Sequence, residues 1–243
     1  MITVQRLVKR FGLKLVLRNL DFQVASGEFV ALLGPNGAGK TTFLRILSSL
    51  SRPTLGQVMV AGYLLPHQSA AVRRKLGVVS HMPLLYGDLT AEENLRFYGR
   101  MYNVPNIKSR IEQVLEIVGL TNRQRDLVRT FSRGMQQRLA IGRAVLHDPE
   151  VLLLDEPHTG LDQDACNMLD AVLRQEAFRK RTVVMTSHDL SRAADLASRF
   201  DSLTRGAIQA SAQSTVLPQD GLLAFYRQSL EAADVQRAVG VSI

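Results

Sequence analysis

Four short apolar runs punctuate the chain: FVALLG (29–34), LGVVS (76–80), VLLLDE (151–156) and TVVMTS (182–187). Each is continuous rather than alternating, the pattern of strands covered on both faces of a parallel sheet. Between them the apolar spacing widens to a helical period, which predicts helices over 40–48, 91–102, 109–118, 133–146 and 162–178. Ser109 and Glu112 fit a capping box at the start of the third helix, and Gly119 fits its stop. Strands and helices in this order predict an α/β fold.

Two regions break the alternation. Residues 1–30 and 56–65 read as short strands with turns, an antiparallel edge, whereas 84–147 carry helices in succession with no strand between them. The latter reads as a helical subdomain inserted into the α/β core. FDSLTRGAIQAS (200–211) reads as strand, turn and strand, followed by the helix LLAFYRQSLEAA (222–233). The expected division is a core of 1–83 and 148–210, a helical subdomain of 84–147 and a C-terminal helical extension of 211–243.

Composition narrows the class. With 243 residues and 46% apolar content the chain can bury a sizeable core. The single cysteine, Cys166, excludes an internal disulfide and is expected to pack as a small hydrophobe, in a reducing compartment. The N-terminal MITVQRLVKRFG lacks the apolar run of a signal peptide. No stretch approaches the roughly 18 uncharged apolar residues that cross a bilayer. The net charge of +8 permits a nucleic acid or an anionic membrane surface as partner. The basic residues are scattered, however, so a solvated basic surface is expected.

The chemistry lies at the strand ends. GPNGAGKT, comprising Gly34, Pro35, Asn36, Gly37, Ala38, Gly39, Lys40 and Thr41, fits G-x-x-x-x-G-K-[ST] between a predicted strand and helix. Its backbone N–H groups and the helix dipole suit a phosphate. Lys40 is expected on the β- and γ-phosphates and the Thr41 hydroxyl on Mg²⁺. Asp155 ends a buried strand as a second candidate for the metal. Glu156 follows as candidate general base for a water, the two acids being aimed in different directions by strand alternation. His188 ends the next strand, where α/β sheets bind ligands, and is a candidate for sensing the γ-phosphate.

Over residues 1 to about 210 these ordered motifs resemble the ATP-binding subunit of ABC transporters. GPNGAGKT, with Thr42 after it, matches the Walker A loop, VLLLDE the Walker B strand, HTGLD through Asp162 the D-loop, and His188 the switch histidine. Phe11 matches the position of a ring that stacks on adenine. FSRGMQQRL, with Ser132, Arg133 and Gly134, stands in place of the LSGGQ signature. The resemblance implies the P-loop NTPase (ABC ATPase) fold, ATP and Mg²⁺ as cofactors, and a head-to-tail pair, expected to be a homodimer. In such a pair the signature of one subunit closes on the ATP of the other. It also implies separate transmembrane subunits, a peripheral location on the cytoplasmic face of the membrane, and no specific nucleic acid.

Physically, the signature is a helix N-terminus brought to an anion, with Ser132 as N-cap and Gly134 allowing close approach. Arg133 replaces a glycine and places positive charge where a phosphate is expected; Met135 replaces a glutamine; His81 replaces the Q-loop glutamine and is expected to bind Mg²⁺ weakly. SRGM together with His81 is most similar to the CcmA-type haem-exporter ATPase of cytochrome c maturation, although Met82 departs from it. Exporters of drugs or polysaccharides share SRGM and stay open as an alternative. A soluble ABC ATPase acting on nucleic acid or ribosomes is the rival from another class. The aromatic-rich stretch around Tyr86, Phe97, Tyr98, Met101 and Tyr102 suits docking of a membrane subunit's cytoplasmic helix, with part of it expected in the helical core.

Overall fold

A computed structural model describes residues 1–80, 82–178, 181–217 and 221–240. The chain opens with an antiparallel sheet of β1 (Ile2–Phe11), β2 (Lys14–Val24), β4 (Leu55–Val60) and β5 (Tyr63–Leu65), in the order β2-β1-β4-β5. A six-stranded sheet follows, built from β3 (Phe29–Leu33), β6 (Leu76–Val79), β7 (Val151–Asp155), β8 (Thr182–Ser187), β9 (Arg199–Thr204) and β10 (Ala207–Gln213). Its order is β10-β9-β3-β8-β7-β6, parallel throughout except for the β9–β10 pair.

Eight α-helices are described. α1 (Lys40–Leu47) leaves the end of β3, and α2 (Ser69–Lys75) runs into β6. α3 (Ala91–Met101), α4 (Ile107–Ile117) and α5 (Arg133–Val145) follow one another, with short 3₁₀ turns at Thr121–Arg123 and Val128–Thr130. α6 (Gln163–Phe178), α7 (Leu190–Leu196) and α8 (Gly221–Gly240) complete the set.

The continuous apolar runs have the expected cause. Along β3, Phe29, Ala31 and Leu33 face one core with α3 to α6, while Val30 and Leu32 face a second core shared with α1 and the antiparallel sheet. β7 divides in the same way: Leu152 and Leu154 join the first core, Val151 and Leu153 the second. In the second, Phe43 of α1 is fully buried and meets Phe22 of β2 edge to face, with centroids 5.1 Å apart.

Helix starts differ from expectation at one point. Ser109 lies inside α4, which begins at Ile107 after Asn106 in a left-handed conformation. Ile107 packs on Gly99 of α3, where an added Cβ would meet its Cδ1 at 2.6 Å. Burial of Ile107 thus extends the helix past the local capping signal. A capping box does form at α3, where Thr90 Oγ1 accepts from the Glu93 amide and the Glu93 carboxylate accepts from the Thr90 amide. α2 and α7, each 7 residues long, have no counterpart in the sequence expectation.

β6 is an edge strand, and α5 covers it. Arg143 donates to the Val78 carbonyl, and His147 Nε2 donates to the Leu76 carbonyl at 3.0 Å. His147 also stacks on Tyr102 with centroids 3.9 Å apart. Burial, against the opposing pull of the Leu76 carbonyl and with help from Arg181, lowers the His147 pKa from 6.5 to about 4. The folded state therefore resists protonation that the unfolded chain accepts. The contribution is intact above pH 6.5 and is lost as pH falls towards about 4. His147→Phe keeps the stacking and removes the titration. Urea melts between pH 7 and 4 are expected to show a smaller acid loss in the variant than in the parent.

Candidate functional site

Parallel pairing brings three motif-bearing strand ends to one edge. Leu33 of β3 lies opposite Ser187 of β8, and Asp155 of β7 lies opposite Thr186. The loop after β3 enters α1 through Gly39, whose φ of 111° is left-handed and where an added Cβ would stand 2.8 Å from Leu17 Cδ2. No side chain caps α1, so its first N–H groups remain available to an anion. A cavity of about 500 Å³ opens there. Phe11, Arg18, the loop residues Pro35 to Thr42, and Glu156 line it. Phe11 is 54% exposed, and the Lys9 ammonium lies 4.6 Å from its ring centroid.

Lys40 is buried and donates to the Gly34 carbonyl at 2.7 Å and the Pro35 carbonyl at 3.3 Å. Its Nζ stands 3.5 Å from Glu156 Oε1. Thr41 Oγ1 donates to Asp155 Oδ1 at 3.2 Å. Glu156 sits just beyond the end of β7 at φ 49°, in the left-handed region. Thr159 Oγ1 donates to Glu156 Oε2 at 3.3 Å, and His188 Nδ1 lies 3.5 Å from the same oxygen. Lys40, Glu156 and His188 thus form one chain of contacts, beside the Thr41–Asp155 pair.

Thr186 was not singled out in the sequence. It is fully buried, donates to Asp155 Oδ1 at 2.9 Å and accepts from the Glu156 amide at 2.9 Å. One hydroxyl therefore holds both the carboxylate of Asp155 and the backbone of Glu156. Only the β7–β8 register brings it there, and no local pattern announces it.

The remaining candidates lie elsewhere. Ser132 caps α5, accepting from the Met135 amide at 3.2 Å, and is exposed like Arg133. Ser132, Arg133 and Gly134 do not line the phosphate-loop cavity. Asp162 is exposed and caps α6, accepting from the Ala165 amide at 2.8 Å. His81 lies outside the described residues. Cys166 is buried as expected, with its Sγ 3.9 Å from the His158 carbonyl oxygen, and burial raises its thiol pKa.

A second unanticipated group supports the turn after Glu156. His158 Nε2 lies 2.7 Å from Asp170 Oδ1, and Arg192 of α7 donates to Asp170 Oδ2. Burial lowers the His158 pKa, with Asp170 opposing the shift.

The donor set fits a metal–phosphate ligand. Thr41 and Asp155 present hard oxygens, the type Mg²⁺ takes alongside water and phosphate. Among the described residues no cluster of three or more His, Cys, Asp or Glu forms an all-protein metal cage. Fold and site together define a P-loop ATPase with an antiparallel edge sheet and a run of helices inserted before the Walker B strand. Residues 17–159 match the family model described as "ABC transporter", and the chain belongs to that family, whose ATPase domains bind ATP with Mg²⁺.

The chain is 37% identical over 219 residues to the linearmycin resistance ATP-binding protein LnrL of Bacillus subtilis, covering 89% of this chain and 70% of that protein. It is 38% identical over 200 residues to the Nod factor export ATP-binding protein I of Rhizobium johnstonii, covering 82% of this chain and 64% of that protein. The dimeric post-hydrolysis structure of the ATP-binding cassette MJ0796, bound to ADP and Pi, superposes with a TM-score of 0.80 at 27% identity. The overlap covers 88% of this chain and 99% of that one. Neither named relative is a haem exporter, so these comparisons do not support the CcmA-type assignment and leave the family as the level shown. No helix among the described residues is long and apolar enough to cross a membrane.

Replacing Thr186 with Val keeps its volume and removes the shared hydroxyl. ATPase activity is expected to fall by about 10–100-fold, the usual cost of removing a partner that orients a metal ligand. Steady-state phosphate release over a Mg²⁺ titration checks this; unchanged kcat and metal dependence would remove Thr186 from the site.

Proposed function

We propose that this chain is the ATP-hydrolysing subunit of an ABC exporter, working as a head-to-tail pair on separate membrane subunits at the cytoplasmic face of the membrane. The observation that carries the reading is a division within one chain. Lys40, Thr41, Asp155, Glu156 and His188 converge beside the phosphate loop, while the Ser132 helix tip is exposed away from that cavity. A second copy supplies the missing tip, and the dimeric cassette of similar fold supports that arrangement.

Bound MgATP supplies the scissile phosphoanhydride and a divalent cation on its oxygens. Lys40 exchanges its loop carbonyls for phosphate oxygens. Thr41 and Asp155 hold the cation, with Thr186 orienting Asp155. Phe11 offers a ring face to the base. Glu156 orients a water and takes its proton, and His188 hydrogen-bonds the γ-phosphate. Ser132, with the α5 dipole behind it and Gly134 beside it, stabilises the phosphate of the partner subunit. Asp162 keeps the turn after Glu156 attached to α6, facing the same interface.

The membrane subunits dock where α3 and the preceding loop expose Leu84, Tyr86, Phe97 and Met101. Tyr86, Phe97 and Tyr98 form a contiguous ring cluster there. Leu95, by contrast, is fully buried, so part of the aromatic-rich stretch is helical core. Export of a drug or polysaccharide-like compound is the better supported cargo, given relatives named for linearmycin resistance and Nod factor export. The haem reading rests on His81 and the SRGM stretch alone. Export rather than action on nucleic acid is likewise supported by those relatives.

Glu156→Gln in the full chain is expected to bind ATP, lose hydrolysis by about 100-fold or more, and form an ATP-dependent dimer by light scattering. Undiminished hydrolysis would overturn the role of Glu156, and a monomer at every concentration would overturn the pairing.

A further inference from the structure

Arg133 stands at the head of α5, where the sequence places positive charge near a phosphate. In the structure its guanidinium lies against Gly160 of the same chain. An ideal Cβ at Gly160 would stand 2.5 Å from Arg133 Cζ and Nη1 and 2.9 Å from Nε, so the guanidinium lies directly over the bare Gly160 backbone and would have to move aside for a side chain there. Gly160 also sits at φ 76°, in the left-handed region. Two further contacts follow the same seam. A Cβ at Gly134 would be 3.1 Å from Ala165 Cβ, and Gln137 Nε2 donates to the Pro157 carbonyl at 2.9 Å. One side of the first two turns of α5 is thus seated along the segment from Pro157 into the first turn of α6.

We propose that Arg133 is a positioning residue that ties the head of α5 to the Gly160 turn, so that both segments present to the partner subunit as one body. This rests on the paired arrangement proposed above. The planar guanidinium is suited to lying on bare backbone, which an ammonium does not reproduce. The charge of Arg133 acts within its own chain, and the phosphates of the partner are left to Ser132 and the helix dipole.

A double-mutant cycle on the full chain tests this by steady-state ATPase kinetics. Arg133→Ala and Gly160→Ala are each expected to lower kcat by about tenfold with KM for ATP nearly unchanged, as displacement of catalytic segments does. The double variant should be no worse than Gly160→Ala alone, which carries the strain of a φ of 76° besides the lost contact, so that Arg133→Ala has no further effect in that background. Arg133→Lys should not rescue. Additive losses, or a loss carried by KM, would overturn the proposal and return Arg133 to the partner's phosphates.

Hydrogen exchange reads the same contact without activity and without Gly160→Ala. Amides 158–162 are expected to exchange about tenfold faster in Arg133→Ala; unchanged exchange overturns the proposal. The two readings are separated by the Glu156→Gln background. If Glu156→Gln fails to dimerise with ATP, the pairing is wrong. If it dimerises while Arg133→Ala leaves kcat and exchange unchanged, the pairing stands and the role of Arg133 falls.

Discussion

The pairing of β7 with β8 is the constraint on which the site depends. It sets Asp155 opposite Thr186 and so delivers one buried hydroxyl to both a carboxylate and the amide of the next residue. A slip of one residue would turn Thr186 to the other face of the sheet. That slip is opposed by both cores at once. Val183 and Met185 fill one while Val184 fills the other, so any change of register buries the wrong set on each side. Apolar packing on two faces therefore holds polar geometry at the strand ends.

Glu156 is the point where two structural units meet. Its left-handed backbone takes the chain out of β7, and its carboxylate lies between Lys40 and His188. The segment after it is not a free loop. His158, Asp170 and Arg192 anchor it from below, and the first turn of α5 rests on it from the side. The placement of the acid thus depends on residues well outside the phosphate loop.

The helical region packs against the edge of the sheet along β6. Arg143 and His147 of the α5 region cover the strand's free carbonyls, and Gly77 allows that approach: a Cβ there would meet the Ala144 carbonyl oxygen at 2.3 Å. The exposed rings at Tyr86 and Phe97 lie on this same helical region. Tyr98, in contact with those rings, lies against Arg143, and Tyr102 stacks on His147.

Much of this was legible in the linear chain because its signals are local. Continuous apolar runs marked β3, β6, β7 and β8 of the main sheet, and glycines followed by Lys40 and Thr41 marked the anion loop. Ser132 stood directly before its helix, so its capping role could be read from spacing alone. Other features were not legible, for a common reason. Thr186, the His158–Asp170–Arg192 group and the seat of Arg133 on Gly160 each join residues 12 to 31 positions apart, through side chains whose types are unremarkable by themselves. The start of α4 moved past its capping signal because burial of Ile107 against α3 outweighs one local hydrogen bond. The sequence by itself put forward the residues proposed to bind phosphate and polarise water. Only the tertiary structure decided which neighbours orient them, because that depends on strand register and helix packing rather than on any neighbour along the chain.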